Sequence, residues 1–397
     1  MSHHLSSVSR VSQVSQFSLP ALPQCSSGKT KITVGVALGA LLLFAGALYF
    51  SRKRKSSLHI ISTEEHIKSI LPKGESLLKI EKVEGGFSNN LWRVDTATRL
   101  YIFRSPKMRD DPSRFMQLLQ VSKYAFENGI SPQIVGENVK EQQMLLEYID
   151  HNPWPSYEEN SVPYKTTMKV LRCFHEKMQP FAHKVNDTDP APFALIFNEG
   201  DKLAKTAGMP THFSSALKKV ERIFDRLKPW LKNHATLCHG DFHKGNVLLS
   251  KAKGFAPVLI DFDSMSMGDP FFDVAKFSLS LPQKYRLELF KEYLGGRLPT
   301  PQEQAHFELM DLALLMVIAS VRFKSVQNVQ GNSQERLSKT EIEEMLNSED
   351  PLPSFLKMPF GDTSPKARQK GATYALGEFL KRTNALSFSR LIDNVVV

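Results

Sequence analysis

A chain of 397 residues that is 41% hydrophobic can build two or three domain-sized units around a real core. Its basic excess, 51 Lys and Arg against 41 Asp and Glu, sits at one end: residues 1–63 hold seven basic residues and no acid, and the first acid is Glu64. The body that follows is near neutral, which argues against nucleic acid as a partner. Three cysteines, Cys25, Cys173 and Cys238, fit no metal or disulfide spacing and point to a reducing compartment.

In chain order, residues 1–31 form a Ser-rich, acid-free segment that also suits an organelle-import or secretion signal. The tract "SSGKTK" ends like a phosphate-binding loop but has Pro23 where its first glycine belongs, so it is set aside. Residues 32–50, "ITVGVALGALLLFAGALYF", run 19 residues without a charge, which predicts one transmembrane helix. The basic "SRKRK" that follows predicts a single-pass protein with its large C-terminal part on the cytosolic side. Residues 51–75 read as a basic juxtamembrane linker. Residues 76–150 carry short strand-like runs, "LLKIEKV", "LWRVD", "RLYIFR" and "QQMLLEYID", separated by one helical period, "PSRFMQLLQVSKYAFENG". Residues 151–397 have longer helical periods, among them "VLRCFHEKM" and a closing amphipathic helix, "TYALGEFLKRTNALSFSRLI". Residues 151–163 and 325–366 read as loops. The expectation is an α+β chain with a small β-rich lobe, 76–150, before a larger helical lobe, 151–397.

The chemistry-bearing tract is "HGDFHKGN", His239 to Asn246, followed by "LIDFDS" around Asp261. Phosphoryl transfer needs a carboxylate to orient the attacking hydroxyl and oxygen ligands for the magnesium on the polyphosphate. Asp241, Asn246 and Asp261 supply those three groups. "NVLLS" pairing with "PVLIDF" across the turn "KAKGFA" would bring Asn246 and Asp261 side by side.

The sequence "HGDFHKGN…LIDFDSMSMGDPFFDVA" resembles the aminoglycoside phosphotransferase and choline kinase superfamily, which has the protein-kinase-like fold. The resemblance covers about residues 76–325. It implies Asp241 as catalytic base or hydroxyl-orienting carboxylate, and Asn246 and Asp261 as magnesium ligands. It makes His239, Asp263, Asp269 and Asp273 structural. Upstream, "GGFSN" resembles the family's phosphate loop, implying nucleotide contacts from Gly85, Gly86, Ser88 and Asn89, with Arg104 on the ATP phosphates. The backbone from Glu147 to Ile149 would meet adenine. His175 is expected to be a packed histidine, and Lys244 either a γ-phosphate contact or a solvated loop lysine.

ATP and Mg²⁺ are thus the expected cofactors. The expected partners are a small hydroxyl-bearing acceptor (aminoglycoside, choline, ethanolamine, or a related amino alcohol or sugar) and the lipid bilayer through residues 32–50; no specific protein partner is implied. One departure stands out: the helix after Arg104 has no acid between Asp111 and Glu127 to pair with it, only Gln117 or Gln120. That supports the alternative of a catalytically weak or inactive membrane-tethered scaffold. A kinase acting on polypeptides is disfavoured, because Ser264–Met267 leaves no room for an activation loop.

Overall fold

The computed structural model describes residues 63–84, 88–109, 111–181, 192–205, 210, 212–327, 336–348, 351 and 364–395. The predicted span 32–50, the Ser-rich segment 1–31, residues 51–62 and the glycines Gly85 and Gly86 lie outside the described residues. No helix among the described residues is long and apolar enough to cross a membrane.

The small lobe is one five-stranded antiparallel sheet. Its strands are β1 (Leu77–Val83), β2 (Asn89–Thr96), β3 (Leu100–Pro106), β4 (Ile134–Asn138) and β5 (Gln143–Glu147), in the order β1-β2-β3-β5-β4. Side chains alternate between its faces. Phe103 and Leu145, a cross-strand pair, join Val94 and Tyr101 in a core closed by Ile67 and Ile70 of helix α1 (Thr63–Ile70). The segment read as a linker therefore contributes a helix to this lobe. Arg104 and Met144, the next pair along, face the other way, where Met144 joins the main core with Leu118 and Leu119 of α2 (Pro112–Glu127). Helix α2 starts where its residues dictate: Asp111 caps the Ser113 amide at 2.8 Å and Pro112 fills the first turn.

A two-residue strand β6 (His151–Asn152) leads into the large lobe. There α3 (Val162–Lys177), α4 (Phe193–Ala204) and α5 (His212–His234) precede β7 (Thr236–Cys238), and the hairpin β8 (Val247–Ser250) and β9 (Ala256–Leu259) follows. β6 pairs with β8, so the link between lobes is stitched to that hairpin. Strand β10 (Ser266–Gly268) pairs with β7 and runs into α6 (Pro270–Ser278). Helices α7 (Gln283–Tyr293) and α8 (Pro301–Gln327) complete the core with α9 (Lys339–Leu346), α10 (Pro365–Asn384) and α11 (Ser387–Asn394). α8 is buried on all sides, from Leu309 through Met316, which explains its lack of an amphipathic stripe.

Two expectations change. Within 325–366, α8 extends to Gln327, and α9 starts at a reciprocal capping box of Ser338 and Glu341. The single closing helix divides into α10 and α11 at Ala385–Leu386, where Ala385 takes an extended backbone.

Candidate active site

The hairpin builds the centre. β8 and β9 pair in register Val247↔Leu259, and the Ile260 amide donates to the Asn246 carbonyl at 3.0 Å. Asn246 at the start of one strand and Asp261 at the end of the other are thereby held side by side. The Asn246 amide nitrogen donates to the Asp241 carbonyl at 2.9 Å and lies 3.3 Å from Asp241 Oδ2. That leaves the acceptor Oδ1 as the atom of this amide that a metal would take. The three residues the sequence singled out are thus brought together.

The loop is fixed from below. His239 N–H and Gly240 N–H donate to the two oxygens of the fully buried Asp273 at 2.7 and 3.0 Å. Asp273 Oδ2 also lies 3.0 Å from His175 Nε2, and His175 Nδ1 lies 2.8 Å from the Tyr293 hydroxyl. His175, Cys238 and Asp273 sit close enough to suggest a metal, but these contacts occupy the imidazole and carboxylate with structural bonds. His239 Nε2 lies 2.9 Å from the Ile260 carbonyl, and its Nδ1 accepts from the Asp241 amide at 3.4 Å. Burial lowers its pKa, so it bridges both halves of the site as a neutral Nε2–H imidazole. Asp269 caps α6 through the Phe271 amide at 2.9 Å and pairs with His306.

Burial would raise the Asp241 carboxyl, but Lys276, with Nζ 2.6 Å from Oδ1, and His243 hold it far below the usual carboxylate range. Asp261 behaves oppositely. Dense protein around it, then the neighbouring Asp263 carboxylate, raise it to about 6, although its side chain still meets solvent. It also holds a left-handed backbone, φ 63° and ψ 62°, which a non-glycine residue adopts at a cost. A strained, crowded carboxylate beside an oriented amide oxygen fits a divalent cation of the magnesium type.

The upstream residues meet this centre differently. Arg104, expected on the phosphates, is paired with both oxygens of Asp263, which also accepts from Asn89 Nδ2 at 2.7 Å. Against the cost of burial, these contacts lower the Asp263 carboxyl. The acid missing from α2 is therefore supplied by Asp263, and α2 sends Arg114 to the Asp263 carbonyl. Ser88 accepts the Lys107 amide on its carbonyl at 2.9 Å. Glu147 ends β5 with its amide on the Gln133 carbonyl at 2.9 Å, and the Ile149 carbonyl faces His151 Nδ1 at 3.1 Å. Lys244 turns away from Asp241: its ammonium donates to the Tyr164 hydroxyl at 2.9 Å and lies over that ring at 4.7 Å. A separate polar cavity of about 320 Å³, lined by His66, Ser105 and Gln143 among others, includes none of the site residues expected from the sequence. Sequence reading missed Lys276 and Arg114. The only signal for Lys276 was its place one helical turn after Asp273.

The sequence matches a known family. The model of the family of phosphotransferase enzymes matches residues 79–307, more than half of the chain. The chain belongs to the phosphotransferase enzyme family. The fold of this phosphotransferase is shared by a choline/ethanolamine kinase family protein from Mesorhizobium loti, at 15% identity and TM-score 0.55, over 80% of this chain and 92% of that one. It is shared by the choline kinase LicA from Streptococcus pneumoniae, at 17% identity and TM-score 0.52, over 68% and 92%. LicA in complex with AMP aligns at 18% identity and TM-score 0.51, over 79% and 96%. No curated protein sequence matches the phosphotransferase. The two-lobed α+β kinase-like fold is thus the architecture of this chain.

Proposed function

We propose that this phosphotransferase moves the γ-phosphoryl group of ATP, with Mg²⁺, onto a hydroxyl of a small molecule. The observation that carries the reading is the hairpin that sets Asn246 beside Asp261, with the Asp241 carboxylate in hydrogen-bond reach of the same amide. Asn246 Oδ1 and Asp261 are the residues that would hold the metal, which would supply neutralisation of the polyphosphate charge. Asp241 accepts the hydrogen bond of the acceptor hydroxyl and aims its oxygen. The acceptor oxygen–phosphorus bond forms as the bond from phosphorus to the ADP oxygen breaks, and its electron pair leaves with ADP. The hydroxyl proton passes to Asp241 and on to solvent.

Ser88 and Asn89 border the segment proposed to cover the phosphates, with Gly85 and Gly86 supplying its backbone amides. The backbone from Glu147 to Ile149 meets the adenine. Arg104 acts on nucleotide through Asp263, steadying the turn that carries Asp261. The acceptor is an aminoglycoside, choline, ethanolamine or a related amino alcohol or sugar, and the enzyme is anchored by residues 32–50 with its kinase-like part facing the cytosol. The occupied Arg104 guanidinium favours a second reading, a catalytically weak or inactive membrane-tethered binding module.

Calorimetric ATP titration with and without Mg²⁺, then ADP release across amino alcohols, choline, sugars and aminoglycosides, separates the two. Asp241→Ala should keep MgATP binding within about threefold and lower turnover by about 10³-fold or more. MgATP binding with no acceptor-dependent ADP release from the native chain would support the scaffold.

A further inference from the structure

Two lysines stand near this loop, Lys244 within it and Lys276 on α6, and only the second reaches Asp241. The loop's own Lys244 is drawn to Tyr164, 2.9 Å from its hydroxyl, and stands 6.0 Å from the Trp154 ring centre. The ammonium at Asp241 comes instead from α6: Lys276 Nζ lies 2.6 Å from Asp241 Oδ1 and donates to the Gly240 carbonyl at 3.1 Å. Its side chain is only 15% exposed, so the contact is a built one rather than a surface pair.

The reach has a clear origin. Asp273 and Lys276 stand three apart on α6 and share a helix face. The first takes the amides of His239 and Gly240; the second takes the Gly240 carbonyl and the Asp241 carboxylate. One turn of helix therefore fixes both the backbone and the side chain of the loop. The helix is itself held by Phe277 against Phe242, ring centres 5.2 Å apart.

The charges around the carboxylate show why a cation belongs there. Asp261 and Asp263 lie on the metal side, His243 Nε2 is 3.5 Å from Oδ2, and an incoming polyphosphate would add several negative charges. An uncompensated Asp241 carboxylate would repel the phosphoryl group it must serve. With Oδ1 tied to Lys276, Oδ2, which lies 3.3 Å from Asn246 Nδ2 and 3.5 Å from His243 Nε2, is the oxygen left for an acceptor hydroxyl.

We propose that Lys276 is a positioning residue of the phosphoryl transfer: it fixes Asp241 with Oδ2 presented to the acceptor hydroxyl and offsets its repulsion of the phosphoryl group, a task that Lys244 cannot perform from its seat on Tyr164. This rests on the reading of the site as a phosphotransferase centre.

The test uses the full chain and MgATP, with water as the acceptor, so that no unidentified acceptor is needed. Lys276→Met should lower kcat about 100-fold, while KM for MgATP stays within about threefold. Lys276→Arg should recover about tenfold or more of that loss. In an Asp241→Ala background, Lys276→Met should add almost nothing, because the two act as one unit. Thermal unfolding midpoints of all variants report folding separately. A Lys276→Met variant with native kcat overturns the inference. So does an equal loss in Met and Arg variants accompanied by a lowered midpoint, which would make Lys276 a packing residue. A native chain that binds no MgATP and releases no ADP overturns the reading of the site itself, and this inference with it.

Discussion

Asp261 and Gly240 show how single residues set the site's properties. The Asp261 carboxyl is pushed up to about 6 by its crowded setting and by Asp263, against an ordinary 3.8. As the proposed metal ligand it must be ionised, so protons would compete with Mg²⁺ below that value. MgATP affinity should fall by up to about tenfold per pH unit below pH 6, and titrations at pH 5, 6 and 7 check it. The same shift has a sign for stability. The folded chain holds this proton more tightly than the unfolded one. Asp261 thus contributes stability that is full below 3.8 and lost as pH rises through about 6. Metal-free Asp261→Asn should therefore gain midpoint over the native chain at pH 7 and little at pH 4. Gly240 has φ +77°, and an added Cβ would come 2.1 Å from the Ser264 carbonyl oxygen. Gly240→Ala should cost about 1–3 kcal/mol and displace Asp241, seen as a loss of turnover larger than the loss of stability. The roles proposed for Asp241, Asn246 and Asp261 could be read from spacing because a short hairpin carries the last two. The partner of Arg104 could not, since Asp263 lies 159 residues away.

Among the elements, α6 and α8 organise the large lobe. Arg286 of α7 is almost fully buried and pairs with Asp311 of α8, which also accepts from Arg382 of α10 at 2.9 Å. Removing the shared acid leaves two cations without it, one of them in the core. Asp311→Ala should cost about 3–5 kcal/mol, measured by denaturant unfolding, while replacing the whole network with apolar residues should cost much less. The strands of the small lobe were legible because their residues alternate between two faces, as Met144 and Leu145 do. The α8 helix lacked such a stripe because it is enclosed on every side. The start of α9 was written plainly in Ser338 and Glu341, a local capping signal submerged in a polar stretch. The break between α10 and α11 depends on where Phe388 and Ile392 find the core, which is a tertiary matter.

At the scale of the whole molecule, the near-neutral kinase-like body is joined to a basic head. If residues 32–50 anchor the chain as proposed, the chain of 397 residues should stay with membranes through high-salt and alkaline washes, and a chain starting at residue 56 should not. Release of the 397-residue chain by salt alone would reduce the anchor to an electrostatic contact of the "SRKRK" cluster. By itself the sequence determined which groups stand at the centre, because Asn246 and Asp261 are joined by a hairpin whose register follows from local pattern and turn. Only the tertiary structure decided which cation meets which acid. Lys276 reaches Asp241, Lys244 finds Tyr164 and Arg104 closes on Asp263 through long-range packing of α6, α3 and the sheet. Spacing along the chain cannot encode those choices, since a long basic side chain reaches whatever acid or ring the packed elements bring within a few ångströms.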